Sequence, residues 1–191
     1  MASPIDHHTA LVIIDVQNGI LRPAKNERAA AVRQALDATV ARIAALLARA
    51  RAAGVPVVHV QHDGSPAHRL AVGTDGWQIR PEVAPAPGEP LINKTACDAF
   101  FDTALEPTLR ARHVDHLIVA GCMTQYCIDT TVRRAVSLGF DVTLAGDGHA
   151  TDDSRALTCD QIIAHHNALL DGFDAGDRRA TVQPCALLPA E

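Results

Sequence analysis

His116-Leu-Ile-Val-Ala-Gly-Cys-Met-Thr-Gln-Tyr-Cys127-Ile-Asp-Thr-Thr131 is an apolar run that gives way, across a glycine, to a helical pattern. His116 to Gly121 reads as a strand buried on both faces, because no polar residue interrupts Leu117 to Ala120. The helix that follows extends from about Gln125 to Leu138, and Gly139 is placed to close it. A buried strand feeding a helix is part of a βαβ unit, the building block of parallel sheets.

The same alternation repeats on either side. A first strand, Ala10 to Asp15, is continuous apolar sequence ending in an acid. A helix over about Glu27 to Ala53 carries Val32, Leu36, Val40, Ile43 and Leu47 at helical spacing, with Gly54 as its stop. Val55 to Val60 gives a second strand and Leu91 to Lys94 a third. Between these two lies a proline-rich loop, Gln61 to Pro90, long enough to suggest a functional role. Helices over about Asp98 to Arg112 and Asp153 to Leu170, and strands at Asp141 to Ala145 and Thr181 to Pro184, complete the pattern. There is no repeat or internal boundary, so residues 1–191 form a single domain. Right-handed crossovers then give an α/β fold, a three-layer αβα sandwich on a mainly parallel, about six-stranded Rossmann-like sheet, with ligands beyond the carboxyl ends of the strands.

Composition narrows the partners. Seventeen Lys plus Arg against 22 Asp plus Glu leave a net charge of −5, and no basic block occurs, so neither nucleic acid nor an anionic membrane is an expected partner. The five cysteines are odd in number and irregularly spaced, which indicates reduced thiols and a cytoplasmic location. Met1 to Thr9 has no Lys or Arg, and Ala10 to Ile14 is too short for a signal or membrane segment.

Three residues with useful chemistry fall at the carboxyl ends: Asp15 after the first strand, Lys94 at the third, and Cys127 in the first turn past the fourth. Unpaired N–H groups and the positive end of a helix dipole favour a thiolate at Cys127. Lys94 would favour it further, and Asp15 would accept the thiol proton. Taken singly, each residue has an ordinary reading: a cap, a solvated ammonium, a small buried hydrophobe. The last is the expectation for Cys97, Cys159 and Cys185.

Four segments carry a resemblance that spans nearly the whole chain. They are Ala10-Leu-Val-Ile-Ile-Asp15-Val-Gln-Asn, Gly73-Thr-Asp-Gly-Trp77-Gln-Ile, Ile92-Asn-Lys94 with Asp98-Ala-Phe100, and Gly121-Cys-Met-Thr-Gln-Tyr-Cys127-Ile-Asp-Thr-Thr-Val-Arg-Arg-Ala. The sequence resembles the isochorismatase-like cysteine hydrolases, with Ile128 replacing a valine of the nucleophile turn. The resemblance implies Cys127 as nucleophile, Asp15 as general base and acid, and Lys94 as the residue orienting them. It also implies a cis peptide between Cys122 and Met123, with the Met123 and Cys127 N–H groups forming an oxyanion hole. The implied activity is hydrolysis of amide, ureide or carbamoyl C–N bonds of a small molecule through a thioester. A homodimer or homotetramer is implied as well.

Gln17, Gln61, Trp77 and Phe100 are candidates for the substrate pocket. His59, His62, Asp63 and His68 lie close to where nicotinamidase-like relatives carry a metal, but those relatives read Asp-x-His followed by a further His where this chain has His59-Val-Gln-His62-Asp63, so no metal and no cofactor are assigned and zinc is kept as a minor alternative. Asp147, His149 and His165-His166-Asn167 are read as local hydrogen-bonding or capping residues. Two rival functions remain: a vinyl-ether hydrolase that needs no thiol, and a redox-sensing module with a Cys122–Cys127 pair.

Overall fold

The computed structural model describes residues 8–24 and 26–189; residues 1–7, on which much of the N-terminal leader reading rests, lie outside them. The described chain runs β1 (Thr9–Ile14), α1 (Ala29–Ala52), β2 (Val57–His62), β3 (Leu91–Lys94), α2 (Leu105–Arg110), β4 (His116–Cys122), α3 (Asp129–Ser137), β5 (Asp141–Ala150), α4 (Cys159–Leu170), β6 (Asp174–Ala175) and β7 (Arg178–Gln183). Among the described residues these strands form one sheet in the order β3-β2-β1-β4-β5-β7-β6. Every pairing is parallel except the short β6–β7 hairpin.

Alternation along the strands assigns the two faces. Leu11 and Ile13 of β1 join Val57, Ile118 and Ala120 beneath Leu36, Ile43 and Leu47 of α1. Ala10, Val12 and Ile14 point the other way, into a second core with Val58, Val119, Leu105 and Leu109 of α2, and Val132 and Val136 of α3. Each such Val, Leu or Ile side chain, fully enclosed, contributes about 1.5–3 kcal/mol. Truncating Leu36 to Ala would remove contacts along the whole α1 face and cost about 3 kcal/mol.

Several boundaries differ from the sequence reading, and local chemistry explains them. The α2 helix starts at Leu105 rather than near Asp98, because Asp98 Oδ1 accepts from the Phe100 N–H at 2.8 Å and Thr103 Oγ1 donates to the Ala99 carbonyl at 2.6 Å. Those side chains compete with helical bonding over residues 98–104. The α4 helix starts at Cys159, where Thr158 and Gln161 form a reciprocal capping box. The helix expected from about Gln125 is present, but its first turn, Thr124–Ile128, is π-helical and leads without a break into α3. β5 continues past Ala145 to Ala150 through a break in register. The β6 strand was not expected; Gly176, with φ +64°, begins the two-residue turn that makes its hairpin.

Candidate active site

Strand order brings the three candidate residues together. Lys94 ends β3 and pairs in register with His62 of β2, and β2 separates β3 from β1. The Lys94 side chain therefore has to cross above β2 to reach Asp15, which follows β1 in a left-handed conformation at φ 52°. Gly121, at φ +132°, lies opposite Ile14; a Cβ there would collide with the Ile14 backbone, so a glycine is needed for β4 to approach β1 this closely. Beyond it the Cys122–Met123 peptide bond is cis, and the π-helical turn brings Cys127 over the strand ends.

Lys94 Nζ is 2.7 Å from Asp15 Oδ2 and donates to Cys127 Sγ at 3.3 Å and to the Ala96 carbonyl at 2.9 Å. The Asp15 and Lys94 side chains have no solvent exposure. Burial raises the pKa of Asp15, against the opposing charge of Lys94 and the Cys127 thiol. Burial also raises that of Cys127, and the adjacent Asp15 carboxylate adds to the effect while Lys94 counters it. For Lys94 burial works against the charge, but Asp15 and Cys127 outweigh it and hold its pKa above the ordinary value.

Here burial opposes the helix terminus and the ammonium that favour a thiolate at Cys127. The sulfur sits in the π-helical first turn of the helical run that continues into α3, and enclosure beside an acid raises its pKa against the pull of Lys94. What the trio offers is one mobile proton shared by Asp15 and Cys127 beside a fixed ammonium. Its net charge is the same wherever that proton sits.

The family model for the Isochorismatase domain matches residues 9–162. The chain belongs to the isochorismatase family. A streptothricin hydrolase of Streptomyces noursei is 37% identical over 182 residues, covering 94% of this chain but 64% of that protein. A ureidoacrylate amidohydrolase of Variovorax paradoxus is 29% identical, covering 73% of this chain and 67% of its own length. The crystal structure of an isochorismatase from Pseudomonas putida KT2440 superposes with a TM-score of 0.81 at 34% identity, covering 95% of this chain and 90% of that one.

In this isochorismatase-family chain a cavity of about 140 Å³ opens beside Cys127 and Asp15. Ile20, Leu70 and Met123 give it apolar walls, and His62, His68 and Arg69 give it polar ones. Arg69 Nη2 rests 3.2 Å from Met123 Sδ. Tyr126 and Cys97 also face the cavity, and both are exposed. Cys97 is thus not the buried hydrophobe expected from the sequence, whereas Cys159 and Cys185 are buried.

The four pocket candidates read from the sequence do not line this cavity. Gln17 is fully buried and donates to the His62 and Trp77 carbonyls at 3.0 and 2.8 Å, while its Oε1 accepts from the His62 N–H. Gln61 also donates to the Trp77 carbonyl, at 2.8 Å. Trp77 spends its indole N–H on Asp63 at 2.7 Å, and Phe100 stacks on Phe140 in the core. Gln17, Gln61 and Trp77 therefore anchor the long loop against the strand ends, a structural duty that a sequence cannot distinguish from ligand contact. Of the residues that do face the cavity, Tyr126 lay within the nucleophile turn, but Arg69 and Leu70 carried no signal.

Two of the four candidate metal residues are engaged elsewhere. His59 Nε2 faces Glu89 Oε2 at 2.9 Å, and Asp63 Oδ1 is taken by Trp77 and Asn93. Among the described residues no group of three or more His, Cys, Asp or Glu is placed to hold a metal ion. Cys122 and Cys127 belong to core clusters on opposite faces of the sheet, which disfavours the bridge that a redox module would require. Among the described residues, no helix is long and apolar enough to cross a membrane.

Proposed function

We propose that this chain is a cysteine-dependent hydrolase that cleaves a C–N bond of a small amide, ureide or carbamoyl compound through a thioester on Cys127. The observation that carries this reading is the placement of the Lys94 ammonium 2.7 Å from Asp15 and 3.3 Å from the Cys127 sulfur, behind an open cavity that Asp15 and Cys127 line. The amidohydrolase relatives support the bond type.

In the first half-reaction Asp15 takes the Cys127 proton as the sulfur attacks the carbonyl carbon. Lys94 stabilises the thiolate as it forms, and the N–H groups of Met123 and Cys127 receive the developing oxyanion. When the tetrahedral intermediate collapses, the C–N bond breaks and protonated Asp15 delivers its proton to the departing nitrogen. Ammonia or an amine leaves, and the acyl group remains on sulfur. In the second half Asp15, ionised again, draws a proton from water; the hydroxide adds to the thioester and the acid is released as Cys127 regains its proton. Burial suits Asp15 to both duties, because a raised pKa makes it a better acceptor in one step and leaves it a usable donor in the next.

The cavity is small, so the reacting group must be compact. Arg69, with no carboxylate partner among the described residues, favours acceptor atoms at the open end of the substrate.

The test is ammonia release from a panel of small amides and ureides, with Cys127→Ala as the blank, together with acid-quench mass spectrometry for an acylated Cys127. Release that depends on Cys127 and an acyl adduct on its peptide are expected. Equal release by wild type and variant overturns the covalent reading and leaves a thiol-independent hydrolase.

A further inference from the structure

The irregularity in β5 brings a buried histidine to the base of the nucleophile turn. Pairing with β4 runs as far as Leu144 opposite Val119, breaks, and resumes with His149 opposite Gly121. His149 is 1% exposed, and each of its ring nitrogens has one partner: Nδ1 lies 2.9 Å from Thr124 Oγ1, and Nε2 lies 2.8 Å from Asn167 Oδ1 on α4. Asn167 Nδ2 in turn donates to the Gly146 carbonyl at 2.9 Å.

The direction of this chain can be worked out from its fixed end. A carbonyl only accepts, so Asn167 must turn its NH₂ to Gly146 and its oxygen to His149. That oxygen requires a proton on His149 Nε2. Burial lowers the pKa of His149 to about 4, so the ring is neutral and Nδ1 is a bare acceptor. The Thr124 hydroxyl must therefore donate, and Thr124 is the first residue of the π-helical turn that carries Cys127.

We propose that His149 is a positioning residue: held by Asn167, it fixes through the Thr124 hydroxyl the turn that sets Cys127 against Lys94 and Asp15. This rests on the reading of Cys127 as the nucleophile. The break in β5 is what brings the imidazole there, since an unbroken register would carry Gly146 to Gly121. None of the three side chains touches the cavity, so the relay acts on the geometry of the sulfur and not on substrate affinity.

The experiment compares Thr124→Val and His149→Leu, which break the relay, with Thr124→Ser and His149→Asn, which keep a donor and an acceptor in place. Three readouts are taken: kcat and KM for Cys127-dependent ammonia release, the alkylation rate of Cys127 by iodoacetamide from peptide mapping, and Tm. The breaking variants are expected to lower kcat by about tenfold with KM unchanged within about twofold, and to change the Cys127 alkylation rate by a similar factor. The conserving variants restore both, and the double variant Thr124→Val/His149→Leu is no worse than the weaker single one.

Wild-type turnover and alkylation in Thr124→Val, or losses that multiply in the double variant, overturn the proposal. So do changes that track Tm alone across all four substitutions. Thr124→Val is nearly isosteric and decides the matter even if His149→Leu does not fold. Alkylation needs no substrate, so the relay is judged even if Cys127→Ala releases ammonia like wild type and the hydrolytic reading fails.

Discussion

Lys94 and Asp15 form an ion pair sealed from solvent, and they come from strands that do not pair with one another. The ammonium lies across the end of β2 and ties β3 to β1 at the level where chemistry would occur. Such a pair costs desolvation to form, yet removing one member leaves a buried charge with no counterpart.

Lys94→Met should therefore destabilise the fold by about 3–5 kcal/mol in denaturant titrations, with no Cys127-dependent activity remaining. Adding Asp15→Asn should recover much of the stability but none of the activity. If the double variant were as unstable as Lys94→Met alone, the stranded charge would not be the cause.

The pH profile follows from Asp15. Its folded pKa is raised above 3.8, and only the ionised form accepts the thiol proton, so kcat/KM falls as pH drops through that raised value. The acid limb of the free enzyme should lie above 3.8. A limb at or below 3.8 would assign it to another group.

Stability has a different acid dependence. Arg51, the Ala86 N–H and His59 all bind the carboxylate of Glu89, and chiefly the Arg51 bond lowers its pKa from 4.5 to about 2. A depressed acid contributes stability that is fully present above its unfolded pKa and is lost as pH falls through the folded one. Unfolding free energy should thus decline between about pH 4.5 and 2, by of order 2 kcal/mol from this residue. Glu89→Gln should flatten that slope while lowering stability at neutral pH, as read by urea titrations across the range.

Gln17 makes a prediction of the opposite kind to that of a pocket residue. Gln17→Leu would strand the His62 N–H and carbonyl and leave the Trp77 carbonyl to Gln61 alone, costing about 2–4 kcal/mol and loosening the long loop. Thermal melts and limited proteolysis within 63–90 would read both effects. A variant with wild-type Tm and altered substrate preference would restore Gln17 to the pocket.

Much of this was legible beforehand, for identifiable reasons. β1 and β4 are unbroken apolar runs because both faces are covered, and α1 shows its period because one stripe of it is buried. Asp15, Lys94 and Cys127 could be singled out because parallel topology puts strand ends on one edge. Some misses were recoverable: Thr158-x-x-Gln161 is a capping box, and Gly176-Asp177 is a two-residue hairpin loop. Others were not. Whether a glutamine faces a ligand or a carbonyl depends on where a loop of about thirty residues settles, which no local pattern encodes. The same is true of His149, whose role depends on a register break and on partners from two other elements.

The exposed Cys97 stands at the rim of the cavity whose enclosed sulfur belongs to Cys127. A bulky electrophile arriving from solvent meets the rim thiol first, and a maleimide fixed there would obstruct the entrance without touching the sulfur beneath. Inactivation by such a reagent would then report a blocked doorway, and protection by a substrate analogue would report the same. Inhibitor screens that infer covalent capture from lost turnover should begin from Cys97→Ser.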